Sequence, residues 1–236
     1  MRSQKRWRGI VVGIVMGVLL SAAVVLAGSL EPSTGPTEAG SQGNSSSYLP
    51  IVLKAGGSSS AAVPRTGQTP TVPLDPAPTG SDGNLQKGVA WPNPRFTDNP
   101  NGTVTDNLTG LIWLKNANCF GLRTWTQALS EANGLASPSC GLSDGSKVGQ
   151  WRLPNVKELL SLIDWAYWNL ALSNAAGTGK WVPGDSFTGV QSGYYWSSTT
   201  NAASMDRAWY VHLGSGWVMD AYKTDPHYVW PVRGGQ

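Results

Sequence analysis

Hydrophobic positions change period several times along this chain, and the sharpest change falls at Trp151–Asp164. Trp151-Arg152-Leu153 reads as a short extended segment, which ends where Pro154 biases Leu153 away from helical geometry. Asn155 then stands as an N-cap with Glu158 three residues on, the capping-box pattern. Val156, Leu159, Leu160 and Ile163 recur at i, i+3, i+4 and i+7, while Lys157, Glu158, Ser161 and Asp164 take the other face. The spacing predicts an amphipathic helix that reaches Asp164. A second helix is predicted over Thr124–Leu135. Thr124 caps it, Gln127 completes the box, Gly134 closes it, and Trp125, Ala128, Leu129 and Ala132 face inward.

Elsewhere the pattern alternates. Arg95–Asn99 and Thr103–Asp106 flank Pro100-Asn101-Gly102 and read as a hairpin, followed by a strand at Leu111–Leu114. Tyr194–Thr200 is another strand. Arg207–Leu213 and Trp217–Tyr222 form a hairpin about Gly214-Ser215-Gly216, with Trp209, Val211 and Leu213 inward and Tyr210 and His212 outward. A last strand, Tyr228–Arg233, carries Pro231, which marks an edge or a break. Between the second helix and these strands, Trp165–Gly193 has little periodicity. Aperiodic stretches of that length in a compact domain usually carry function or lack order.

The N-terminal quarter differs. Met1–Gly9 is cationic, and Ile10–Ala27 is an uncharged apolar run ending in Val25-Leu26-Ala27. Residues 1–27 therefore read as a cleaved signal peptide or, alternatively, as a retained N-terminal anchor; either way the remainder is expected to be exported to the cell surface or beyond. Gly28–Gly88 is rich in Ser, Gly, Pro and Thr, and is expected to be a disordered stalk. One apolar island, Tyr48–Lys54, reads as a docking strand or simply as a sticky patch. The folded domain is expected over 89–236.

Composition sharpens this picture. Only 13% of residues are charged, while Gly (29), Pro (16) and Trp (12) are abundant, as suits a loop-rich extracellular module. The net charge of +3 comes from Arg2, Lys5, Arg6 and Arg8; without them 13 basic residues face 14 acidic ones. From Gly88 onward there are 10 of each, so the body carries no electrostatic signature of nucleic-acid binding. Two cysteines in an exported chain read most simply as one disulfide, Cys119–Cys140, clamping the Thr124–Leu135 helix. A reactive thiol is the rival reading, and no histidine lies nearby in sequence to support it.

Phe96-Thr97-Asp98-Asn99, the run Gly102–Trp113, Trp151-Arg152-Leu153-Pro154-Asn155, Tyr195-Trp196-Ser197-Ser198 and Val232-Arg233-Gly234-Gly235 together resemble the Lcl C-terminal domain family, over about residues 90–236. That family takes its name from a bacterial collagen-like adhesin and is grouped with C-type-lectin-like folds. The resemblance implies an α+β domain with two helices and twisted antiparallel sheets, its first and last strands brought together. It also implies that Trp165–Gly193 lies on the ligand-facing side, and that the ligand is cell-surface polysaccharide.

Aromatic faces pack on the C–H surface of sugar rings while amides and carboxylates take the hydroxyls. The candidate ligand-binding residues are Trp168, Trp181, Asp185, Gln191, Tyr194, Trp217 and Tyr222. Trp113, Trp151, Trp196, Trp209 and Trp230 sit in strands or at a helix entry and read as core. The calcium-coordinating triplets of lectins in this fold group are absent, so no metal or cofactor is expected beyond an incidental ion at Asp185, Asp206 or Asp220. Ser197 or Ser198 with His212 has neither a nucleophile elbow nor an identifiable acid, and the chain is expected not to be an enzyme. The alternative function is a protein-binding or assembly component of the envelope or matrix, with self-association among its consequences.

Overall fold

The Asn101-Gly102 turn closes the first hairpin for a steric reason. Gly102 has φ +82°, and a Cβ there would lie 2.3 Å from the carbonyl oxygen of Gly141. A computed structural model describes residues 63–234, which lie within one compact unit, Ala55–Gln236. The expectations for 1–27, for the stalk up to residue 62 and for the island Tyr48–Lys54 fall outside the described residues. Among the described residues no helix is long and apolar enough to cross a membrane.

The chain runs through β1 (Phe96–Asn99), β2 (Thr103–Asp106), β3 (Ile112–Leu114), β4 (Leu122–Arg123), α1 (Trp125–Gly134), α2 (Val156–Leu160), β5 (Tyr194–Thr200), β6 (Arg207–His212), β7 (Val218–Tyr222), β8 (His227–Tyr228) and β9 (Val232–Arg233). A single helical turn, Asp82–Leu85, precedes them. β1-β2-β3-β9 form an antiparallel four-stranded sheet, so the first and last strands share one sheet. β4-β8-β5-β6-β7 form a five-stranded sheet in which only β5 and β8 run parallel. The class is α+β.

Tryptophan builds the larger core. Trp113, paired in register with Val104 and Val232, is fully buried with Trp151 and Trp230. The ring of Trp230 meets those of Trp113 and Phe187 edge-to-face, at 5.6 and 4.9 Å. The smaller core lies between α1 and the five-stranded sheet. There Ala128 and Ala132, having no bulk, let the helix sit close on Trp196, Ala208, Tyr210 and Ala221. The disulfide Cys119–Cys140 joins the segments that flank α1.

Four differences from the sequence reading have physical causes. The capping box on α2 forms as expected: Asn155 Oδ1 accepts from the amides of Lys157 and Glu158, and Glu158 accepts from the amide of Asn155. The helix nevertheless stops at Leu160. Leu162 and Ile163 are both buried, more apolar surface than one stripe accommodates, and Ile163 bridges to Leu172 in extended geometry. In β6 the inward residue toward α1 is Tyr210, while Trp209 is only half-buried. The sheet is covered on both faces, so simple alternation does not separate core from surface there.

The third difference is the domain edge. Residues 63–88, assigned to the stalk from composition, are tied to the domain by main-chain bonds: Arg65 to Val89 at 3.0 Å and Trp165 to Thr66 at 2.9 Å. Gly67 sits directly over the Asp164 carboxylate. Backbone bonding leaves no hydrophobic period to read. The fourth is that much of Trp165–Gly193 is packed. Ala166, Ala171, Leu172, Trp181, Phe187 and Val190 are all buried.

Candidate functional site

The turn after β6 organises the exposed chemistry. Gly216 has φ +76°, and a Cβ there would strike Ile163 at 2.8 Å and the Trp165 ring at 3.1 Å, so glycine lets the turn lie against both. The amides of Ser215 and Gly216 both donate to the carbonyl of His212, at 3.2 and 2.8 Å, and the amide of His212 donates to the carbonyl of Trp217 at 2.8 Å. His212 Nδ1 and Ser215 Oγ share a hydrogen bond of 2.7 Å.

A second segment closes on this turn. Asn169 and Leu170 both have left-handed backbones, φ +50° and +60°, which cost non-glycine residues about 1–2 kcal/mol each. The neighbourhood holds them there. The amide of Asn169 donates to Gly214 at 2.6 Å, that of Ala171 donates to Leu213 at 2.7 Å, and Ser192 Oγ donates to Asn169 Oδ1 at 3.2 Å. Trp168 is left 77% exposed and Trp217 64% exposed. Tyr194, 46% exposed, tilts its ring against His212 at 4.8 Å, and His227 and Tyr210 lie behind it at 5.4 and 5.0 Å. Burial is the first cause that lowers the pKa of both His212 and His227, so both rings are neutral at neutral pH. The surface is thus aromatic rings interspersed with uncharged donors and acceptors: Asn169, Ser192, His212 and Ser215.

Of the seven candidates from the sequence, Trp168, Tyr194 and Trp217 gather at this surface. Trp181 does not. It is 8% exposed and packs in the larger core, where the Ser173–Lys180 bridge and its amide bond to Leu172 draw it inward. Asp185 accepts from the amide of Val182 at 2.7 Å, and Gln191 donates to the carbonyl of Gly189 at 2.9 Å, so each braces its own loop. Tyr222 stands at the far end of β7, its ring under the guanidinium of Arg207 at 4.5 Å. Trp165, Asn169, Ser192 and Ser215 were not singled out from sequence. The signal available for them was the aromatic density of Trp165-Ala166-Tyr167-Trp168 beside a residue, Asn169, that tolerates left-handed geometry.

Two other features adjoin the long segment. An apolar groove of about 420 Å³ runs between Val63, Arg65 and Trp91 on one side and Leu160, Ile163 and Trp165 on the other. A recess of about 310 Å³ lies beside Pro183, Phe187 and Val190. Among the described residues no three His, Cys, Asp or Glu side chains gather as a metal-ligand set. Asp220 is committed to Arg207 at 2.9 Å and Asn201 at 3.1 Å.

A family model described as the Lcl C-terminal domain matches residues 102–233, a span that begins just before β2 and ends with β9. No curated protein matches the chain.

Proposed function

The chain belongs to the Lcl C-terminal domain family, and from that membership and the surface around Gly214–Trp217 we propose that it is an exported, adhesin-like module that binds polysaccharide without catalysis. The family supports the surface-adhesin part of this reading. One observation supports the ligand class. Trp168 and Trp217 are largely exposed around a single turn, and Tyr194, packed on Tyr210, His212 and His227, is half exposed beside them, next to hydrogen-bonding side chains that carry no charge. Such a surface suits the C–H faces and hydroxyls of a neutral glycan better than a sulfated or uronic-acid chain, which calls for Arg or Lys. The two-helix, two-sheet arrangement with shared terminal strands is consistent with a C-type-lectin-like fold.

The hydrogen bond between Ser215 and His212 invites a catalytic reading, and the turn argues against it. An acyl-transfer site aims free amides at the developing oxyanion, whereas the amides of Ser215 and Gly216 are both spent on the carbonyl of His212. In our reading the pair fixes the imidazole as part of the binding surface.

The test is binding of the unit Ala55–Gln236 to a panel of neutral and acidic polysaccharides by glycan array and pull-down. Saturable binding to neutral members, weakened at least tenfold by Trp168→Ala and by Trp217→Ala, supports the proposal. Binding to none, or binding that neither substitution weakens, overturns it.

A further inference from the structure

The proposed ligand surface leaves one feature unused: the outer edge of β7. Strand β7 ends the five-stranded sheet and, among the described residues, pairs only with β6. Its ladder is fixed by the bonds from Lys223 to Asp206 and from His212 to Trp217, so Met219 and Ala221 bond inward. Val218, Asp220 and Tyr222 therefore turn their main-chain groups outward. Among the described residues only the carbonyl of Tyr222 finds a partner, the amide of Asp225. Edge strands are normally blunted by charged side chains, above all lysine, by proline or by a bulge, and the one charge here, Asp220, is paired with Arg207. The strand Val218–Tyr222 has no lysine, proline or bulge, and its register against β6 is unbroken. Val218, Met219 and Tyr222 are all exposed along it, with Met205 beside its end.

We propose that β7 pairs antiparallel with β7 of a second copy of this chain about a two-fold axis at Asp220, joining the two five-stranded sheets edge to edge. In that register Val218 of each copy faces Tyr222 of the other, a small side chain against a large one, and outward main-chain groups meet reciprocally, the Tyr222 carbonyl accepting a second bond beside that from the Asp225 amide. The only charge within the strand falls on the axis. Like charges opposite one another destabilise a pair of strands. Here each Asp220 carboxylate is already compensated by Arg207 Nη1 at 2.9 Å and Asn201 Nδ2 at 3.1 Å, and the two guanidiniums would lie beside both carboxylates. The equal numbers of basic and acidic residues from Gly88 onward add no net repulsion. A five-residue edge gives a small interface, so the dimer is expected to be weak and reversible, with Kd in the range of roughly 1–1000 µM. Its effect is to hold two ligand surfaces on one body and raise avidity. The pairing stands or falls independently of what those surfaces bind.

Sedimentation equilibrium on the unit Ala55–Gln236 tests it, since that unit contains both sheets and both cores. The wild type should show a concentration-dependent monomer–dimer equilibrium. Val218→Pro, which removes an outward amide, and Met219→Lys, which places a charge at the edge, should each weaken it at least tenfold. If Val218→Pro fails to fold by near-ultraviolet circular dichroism, Met219→Lys decides. Register is tested by mixing Val218→Cys with Tyr222→Cys chains under mild oxidation. Their Cα atoms would lie about 5.5 Å apart, within disulfide reach, so the mixture should cross-link more than either chain alone. A wild type that stays monomeric, a dimer unaffected by Met219→Lys, or no preferential cross-link in the mixture overturns the proposal.

Discussion

The amide of Asn169 donates to the carbonyl of Gly214 at 2.6 Å, and this bond, with that from Ala171 to Leu213, ties the segment bearing Trp168 to the turn bearing Ser215 and Trp217. Two stretches more than forty residues apart in sequence thereby form one surface. Neither is built from a regular element, so the surface depends on turn geometry held by the packed sheet beneath it.

Gly216→Ala should damage that geometry. The new Cβ would require a left-handed backbone that alanine disfavours and would press on Ile163 and the Trp165 ring. A loss of about 1–3 kcal/mol in denaturant stability is expected, with weakened ligand binding. Unchanged stability together with unchanged binding would show that the turn is not the surface's frame.

Arg95 and Asp106 form a fully buried bidentate pair, with contacts of 2.8 and 3.0 Å. Asp106 also accepts from the amide of Leu108 and the hydroxyl of Thr109, and Arg95 donates to the carbonyl of Ser161 just after α2. Arg95→Ala strands a buried carboxylate and is expected to cost about 3–5 kcal/mol in urea unfolding. Asp98→Ala removes only a surface partner of Lys115 and should cost less than about 1 kcal/mol.

Asp164 gives the stability a pH dependence of definite sign. Burial raises its pKa to about 6, against the opposing pull of the Ala166 amide and the Arg95 charge. A raised carboxylate pKa means that the folded state holds its proton more tightly than the unfolded chain does. Well below pH 4 both states are protonated and nothing is lost. As pH rises from there through 6 the penalty grows, levelling at about 3 kcal/mol. Asp164→Asn keeps an acceptor for Ala166 and should stabilise the fold at pH 8 by up to that amount, with little change at pH 4. Denaturant titrations at the two pH values measure the difference; equal effects at both would contradict it.

Much of the scaffold was legible in the sequence, and the boundaries of legibility are instructive. The Asn101-Gly102 hairpin, both capping boxes and the Cys119–Cys140 bridge follow from local rules that tertiary packing did not override. The buried roles of Trp113, Trp151, Trp196 and Trp230 followed from their places in strands and at a helix entry. The length of α2 was not legible, because Leu162 and Ile163 answer to distant partners rather than to the helical period. Trp181 and Trp168 sit in the same aperiodic stretch with similar neighbours, yet one is core and the other is open. What separates them is the bridge that carries the chain inward before Trp181 and the left-handed pair that turns it outward after Trp168. Neither leaves a mark in hydrophobic periodicity.

Recognition of neutral polysaccharide by the surface around Gly214–Trp217 makes a quantitative demand on single side chains. The most direct test is the affinity of the unit Ala55–Gln236 for its strongest polysaccharide, measured by calorimetry, with Trp168→Ala and Trp217→Ala set beside Asp185→Ala. At least a tenfold loss is expected for each of the first two, with near-native melting temperature, and wild-type affinity for Asp185→Ala. Native affinity in both tryptophan variants, or a loss seen only in Asp185→Ala, would contradict it.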